Sequence, residues 1–422
     1  MHCRVDDLPL LASESTPSMS TLLPGSNDDV RRNNLARIVR RLHIAGSASR
    51  SELVSHTGLN RSTVGALVAE LAEAGLVSEQ AGPAGSVGRP SLVVVPEAES
   101  AIVLAFDFRV DRIVAAVIGL GGRVLLRTEE RHRRSGYGPD LAVRQMLSIA
   151  RSLLRDLPAS ALWVGTAIGV PGIVDASVGL VKLAPNLGWI DVPIGSLLAD
   201  ALAEEFSEVP ATVIGNDADF GAIAEHTRGA AAHAAHVIYL SGEIGIGGGI
   251  VVNGQPLTGT GGFGGEVGHM VIDPEGAVCR CGARGCWETL IGRDAILGAA
   301  EHGDLSDITD VVSAARHGSE SAQATLEQMG RWLGIGLRNL VNIFNPEVVV
   351  LGGHLGVLLP EVDDIVNAEV QRAIPASRDQ VRVLVPGLGE DSTLYGAGES
   401  AFVPLLTSPL ETLDISRQLV AP

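Results

Sequence analysis

From Asn33 onward the chain changes from an aperiodic to a helical pattern of apolar positions. Leu35, Ile38, Val39 and Leu42 fall on one face of a helix, and Arg31, Arg32, Arg37, Arg40 and Arg41 surround them. Ser51 to Val54 opens a second short helix that Gly58 breaks. Asn60 is placed to cap a third, over residues 61–74, whose apolar face is Val64, Leu67, Val68 and Leu71. Gly75 ends it. Leu76-Val77 and residues 92–95 then read as the two arms of a hairpin, with a Gly/Pro-rich tip over 81–90. Three helices followed by a hairpin predict a winged helix-turn-helix domain over residues 29–96. Residues 1–28, rich in Ser, Thr and Pro without periodicity, read as a disordered leader.

After Pro96 strands and helices alternate. Residues 101–108, 112–118 and 123–129 read as three strands with a Gly121-Gly122 turn, followed by a helix over 141–157 and a strand over 163–169. A similar block returns with residues 236–240, 249–252 and an Asn253-Gly254 turn. The repetition predicts a duplicated, two-lobed α/β body over residues 97–405, with ligand in the cleft between lobes and a tail over 406–422.

Composition changes this picture in two ways. The formal charge is −18, which by itself argues against nucleic acid, yet residues 31–95 carry eight Arg against four Glu. A small basic module sits on an acidic body, and the basic part is the one with the DNA-binding pattern. Of four cysteines, three lie within eight positions, which excludes a disulfide scaffold and favours a metal in a reducing compartment. The N-terminus is acidic (Asp6, Asp7, Glu14) and no long apolar run occurs, so neither a secretory segment nor a membrane span is expected. The expected location is the cytoplasm.

The sharpest chemistry is in Cys279-Arg-Cys281-Gly-Ala-Arg-Gly-Cys286-Trp-Glu288, preceded by Glu266-Val-Gly-His269. Three thiols and one imidazole are a four-ligand zinc set with no position left open for water, so one structural Zn2+ per chain is expected. Gly282 and Gly285 permit the turn that returns Cys286 beside Cys279 and Cys281; unligated buried cysteines would not explain that spacing. The metal would hold Glu266 and Glu288 at one site, and carboxylates accept well from sugar hydroxyls. A second cluster, Gly215-Asn216-Asp217-Ala218, follows an apolar strand, which places an acid at the ligand crevice; capping of the next helix is an equal alternative. The stretches TAIGVPGIVD (166–175) and APNLGW (184–189) add turns after another strand and a free amide at Asn186.

These elements, in this order, resemble the ROK family (repressor, open reading frame, kinase) over residues ~31 to ~400. The resemblance implies an actin-like, sugar-kinase-like (ribonuclease H-like) two-lobed body behind a winged helix. It implies sugar contacts from Asn186, Asn216, Asp217, Glu266, His269 and Glu288, and zinc held by His269, Cys279, Cys281 and Cys286. In the family's kinases the acid at the place of Asp217 deprotonates the attacking sugar hydroxyl. This chain departs from the kinase pattern at two phosphate loops. Asp107-Phe-Arg109-Val110-Asp111 stands for Asp-x-Gly-Gly-Thr, and Glu243-Ile244-Gly245 for Gly-Thr-Gly. Backbone donors and a hydroxyl are replaced by bulk and a carboxylate, so ATP use is not expected, although Leu351-Gly352-Gly353 keeps the nucleotide-side pattern. Base contacts are expected from Asn60, Arg61, Ser62 and Thr63, and a minor-groove contact from Arg89 in Gly88-Arg89-Pro90. The expectation is a sugar-responsive repressor of carbohydrate genes, a homodimer or tetramer that releases operator DNA when a monosaccharide or derivative binds. The alternatives are an ATP-dependent sugar kinase with an appended DNA-binding domain, or a constitutive DNA-binding protein whose body only dimerises.

Overall fold

The computed structural model describes residues 27–81, 92–133, 136–158, 160–207, 209–300 and 307–420. The first helix, Asn27–Ala45, buries the expected Leu35, Ile38, Val39 and Leu42, and His43 as well. The second, Arg50–Thr57, starts one residue before Ser51. Ser49 caps it, with its hydroxyl accepting from the Glu52 N–H at 3.2 Å while its own N–H donates to the Glu52 carboxylate at 2.7 Å. The third is Arg61–Glu73, and the Asn60 carboxamide oxygen caps it by accepting from the Thr63 N–H at 2.9 Å. Strands Val77–Ala81 and Leu92–Pro96 pair antiparallel, and Ala48–Ser49, which the periodicity does not reveal, adds a third strand beyond Leu92–Pro96. The hairpin tip with Arg89 lies outside the described residues.

The body contains two five-stranded sheets with one topology. In the first the order is Thr212–Asn216, Leu162–Val170, Ala101–Phe108, Arg112–Gly119, Arg123–Arg131. In the second it is Arg382–Leu384, Val348–Gly353, Val237–Gly242, Ile246–Val252, Gln255–Pro256. Each has a central strand flanked by an antiparallel hairpin partner on one side and a parallel strand on the other. The duplication read from the turns is therefore a duplication of topology. The second hairpin is tighter than expected, because Gly242 pairs with Ile246 and only residues 243–245 turn the chain.

The helix Asp217–Thr227 lies between the lobes and is packed to main-chain distance on two sides. A Cβ on Gly249 of the second sheet would sit 2.2 Å from the Ala218 carbonyl oxygen, and one on Gly396 of helix Ser392–Thr407 would sit 1.8 Å from that of Phe220. Residues 406–422, expected as a tail, are instead largely a helix, Pro409–Val420, that follows Ser392–Thr407. It buries Leu413, Arg417 donates to the Ala74 carbonyl at 2.7 Å, and Glu411 pairs with Arg32 at 3.1 Å. It packs against helix Ser392–Thr407, strand Leu162–Val170 and the first helix of the module, so it ties module to body. Among the described residues no helix is long and apolar enough to cross a membrane.

Candidate functional site

The ligand atoms of His269, Cys279, Cys281 and Cys286 all lie within 4.8 Å of one another. Two short bridges, Val271 with Cys286 and Val278 with Arg284, fold the loop back on itself. Gly282 and Gly285 take φ values of 93° and 73°, and a Cβ on Gly285 would sit 1.6 Å from the Asp273 carbonyl oxygen. His269 closes a short turn, Val267–His269, with Nδ1 3.7 Å from the Cys279 Sγ; Cys281 and Cys286 sulfurs are 3.6 Å apart. A tetrahedral ion with bonds of about 2.3 Å to sulfur sets sulfur–sulfur edges of about 3.8 Å. The residues therefore fit a four-coordinate metal ion. Burial, reinforced by the neighbouring thiols, pushes the Cys286 thiol up to about 12, and a bound cation is what turns such a thiol into a thiolate.

The loop is anchored through Trp287, which is fully buried and donates to the Trp332 carbonyl at 2.9 Å; Gly336 leaves room for its ring. Glu288 follows at the start of a short helix and accepts from the Ile246 N–H at 3.1 Å. Glu266 lies on the other side, 3.8 Å from the Nε2 of His269. The two expected carboxylates thus flank the metal loop. Burial and the charge of Glu288 raise the Glu266 carboxyl, against the lowering influence of His269.

Asn216 is committed locally. Its oxygen accepts from Ala218 and Asp219 N–H groups at 2.8 and 3.2 Å, and its amide donates to the Gly172 carbonyl at 2.8 Å. The helix-cap alternative holds for this residue. Asp217 is half-buried, and burial together with the charges of Asp107 and Glu243 pushes its carboxyl up to about 7. Asp219, which the motifs pass over, is also pushed to about 7, by burial and the charge of Glu266. Asn186 projects from the first lobe and accepts from Arg280 at 2.7 Å, so the residue between two metal-ligating cysteines reaches across the cleft. The sequence reasoning misses Arg280, although its place inside the cysteine motif is a usable signal.

Residues 107–111 and 243–244 meet at a cavity of about 770 Å³, lined by Asp107, Arg109, Glu243, His354 and Glu390 among others. Of the expected sugar residues only Asp217 lines it. Arg109 is nearly buried and donates to Asp107 at 2.7 Å and to the Glu390 carbonyl at 2.5 Å; Glu243 lies 3.9 Å away on the second lobe. Beside the Glu243 carboxylate the fold thus sets a guanidinium already engaged by acids. His354, which no motif contains, bonds the Ile291 carbonyl at 2.9 Å, and burial lowers its pKa.

At the N-terminal module Asn60, Arg61 and Ser62 are exposed and Thr63 half-buried at the start of the third helix. The Ser62 hydroxyl donates to the Asn60 oxygen at 2.6 Å and so braces the capping residue, while both side chains face outward.

Residues 103–401 match the sequence profile of the ROK family. The chain belongs to the ROK family. Among curated relatives it is 31% identical to the xylose repressor of Bacillus spizizenii over 351 residues, covering 82% of this chain and 89% of that one. A solved ROK family transcriptional regulator, described as a homolog of E. coli MLC, superposes with a TM-score of 0.73 at 23% identity, covering 93% of this chain and 99% of its own. That likeness extends the shared fold through the N-terminal module. The ROK hexokinase from Thermus thermophilus matches with a TM-score of 0.59 at 29% identity, covering 74% of this chain and 99% of the enzyme. The actin-like, sugar-kinase-like class expected for the body agrees with these neighbours.

Proposed function

We propose that this ROK protein is a sugar-responsive DNA-binding repressor of carbohydrate uptake or metabolism genes, released by a neutral monosaccharide or derivative, and not an enzyme. The observation that carries the reading is the state of Arg109. In a kinase, that end of the cleft offers unpaired donors to phosphate; here the cation is held by Asp107, the Glu390 carbonyl and the nearby Glu243. A phosphate arriving there meets the carboxylates of Asp107, Glu243 and Glu390 and a guanidinium already engaged. The sugar end is different. Glu266, Glu288, His269, Asp217 and, across the cleft, Asn186 form an acceptor-rich rim suited to hydroxyl donors. The resemblance also includes Asn216, whose remaining amide hydrogen is all it can offer a sugar beyond its cap. Zinc held by His269, Cys279, Cys281 and Cys286 supplies no reaction chemistry; when bound it fixes the loop that presents Glu266 and Glu288.

The three-helix module with its hairpin then acts as a winged helix-turn-helix: Asn60, Arg61, Ser62 and Thr63 face base edges, and Arg89 enters the minor groove. A homodimer or tetramer presents two such modules to operator DNA at a spacing that lobe closure alters. The test is a thermal-shift screen with D-xylose, D-glucose and N-acetylglucosamine, followed by operator-binding and ADP-release assays with each binder. The expected result is a sugar-dependent melting shift, loss of operator binding and no ADP. Sugar-dependent ADP release at about 1–100 per second overturns the reading in favour of a kinase. A protein whose operator binding ignores every sugar is a constitutive DNA binder.

A further inference from the structure

The helix that begins with Asp217 in the cleft ends at the joint between body and DNA-binding module. It spans 11 residues, Asp217–Thr227, or about 16 Å at 1.5 Å per residue. Its next residue, Arg228, is only 12% exposed. The guanidinium donates from Nη2 to the carbonyl of His43 in the first helix of the module, at 2.9 Å. From Nη1 it donates to the carbonyl of Gly121 in the body, at 3.2 Å, and from Nε to the carboxylate of Glu399. His43, fully buried, closes the ring: its Nδ1 accepts from the Gly121 N–H at 3.0 Å and its Nε2 faces Glu399 at 3.2 Å. The Gly121-Gly122 turn is shaped for this grip, since a Cβ on Gly122 would sit 2.3 Å from the Arg228 guanidinium carbon.

Three features make this more than a packed interface. The fork of one Arg holds main-chain atoms on both sides of the joint, so it senses backbone position rather than a mobile side chain. The helix behind it has little lateral play, because Gly249, Gly221 and Gly396 bring neighbours from both lobes to near-contact with it. The helix N-terminus carries Asp217 and Asp219, so a ligand that shifts those acids moves a rod whose other end is Arg228.

We propose that Arg228 is the positioning residue through which occupancy of the sugar cleft reaches the DNA-binding module, by way of helix Asp217–Thr227, His43 and Gly121. This rests on the sugar-responsive repressor reading. It predicts that sugar affinity, DNA affinity and their coupling separate on mutation.

The experiment uses full-length protein, D-xylose and D-glucose as sugars, and a duplex selected from a random library on the wild-type chain. Arg228→Lys keeps the charge beside Glu399 but cannot span three acceptors. Expected is DNA affinity without sugar, and sugar affinity without DNA, each within about twofold of wild type, with the sugar-induced change in DNA affinity reduced at least tenfold. Arg40→Ala is the control, since it removes other module–body bonds, to the Leu406 carbonyl and the Thr407 hydroxyl at 2.8 and 3.2 Å, and should leave the coupling intact. Hydrogen exchange of amides 36–46 should respond to sugar in wild type and not in Arg228→Lys, a readout that general loosening does not mimic. Wild-type coupling in Arg228→Lys, or equal loss in Arg40→Ala, overturns this inference alone. A wild-type protein without any sugar response overturns it together with the repressor reading.

Discussion

At one end of the cleft Glu266 and Asp219 carry carboxylates that accept no hydrogen bond from the described residues, beside a loop shaped for a metal ion. At the other end Arg109 is held by Asp107 and the Glu390 carbonyl and faces Glu243. Both ends grow from the same strand order in the two sheets, so topology does not explain the contrast. Satisfaction of polar groups does. Half-buried Asp219, an acceptor without a protein donor, costs free energy that a ligand hydroxyl can recover, and exposed Glu266 keeps lone pairs free for one, whereas a cation with its bonds already made offers a ligand little. A nearly buried Arg–Asp pair also resists being opened, because removing either partner strands a charge at a cost of about 3–5 kcal/mol. In this chain the proposed sugar end and the self-satisfied end share one cleft, and Asp217 lies between them.

The largest effect that can break this contrast is loss of the metal. Cys286→Ser removes a ligand at a fully buried position, directly before the Trp287 anchor. Without the ion the loop loses what positions Glu266 and Glu288. Sugar affinity is expected to fall by about 100-fold or more, with DNA binding retained. Elemental analysis paired with titration calorimetry checks both halves. Full sugar affinity in a metal-free protein would mean that the loop holds its shape through Trp287 and its glycines alone.

Features whose physics is local are legible in the amino-acid sequence alone. The metal loop is one: ligand spacing and turn glycines sit within eight residues, and Gly282 and Gly285 take the backbone angles expected of them. The three-helix module is another, since its apolar spacing is its core. What stays hidden depends on distant partners. Glu390 meets Arg109 from 281 positions away, and His43 meets Glu399 from 356, so no window of sequence contains either pair. Asn216 is ambiguous for a different reason: one carboxamide can cap a helix or meet a ligand, and motif position does not choose. Helix Pro409–Val420 reads as a tail because it buries few apolar residues and gains its place from Arg417 and Glu411 bonds to the module.

A smaller effect sharpens the role of the residue the two ends share. If Asp217 accepts from a sugar hydroxyl, Asp217→Asn keeps the shape and removes the charge. The cost should be about 1.5–3 kcal/mol of sugar affinity, the range for hydrogen bonds to charged groups. Operator binding without sugar should stay intact. Calorimetry with the sugar found in the thermal screen measures it. An unchanged affinity would place Asp217 with the self-satisfied end and leave the sugar to Glu266, Glu288 and His269.

The smallest effect is a pH dependence, and its sign differs between the free and the liganded protein. Burial, then the charges of Asp107 and Glu243, push the Asp217 carboxyl up to about 7, against an ordinary value near ~3.9. The folded protein therefore holds a proton there that the unfolded chain has released. Between about pH 4 and 7 this group makes stability fall as pH rises, because the unfolded state binds fewer protons. Sugar binding runs the other way. The ionised carboxylate is the stronger acceptor, so affinity should rise a few-fold from about pH 6 to 8 as Asp217 loses its proton. Zinc content measured at each pH separates this from loss of the metal. In Asp217→Asn the slope above pH 6 should vanish while the metal stays bound. A slope that persists in that variant assigns the titration to another acid of the rim, with Asp219, also pushed to about 7, the next to replace.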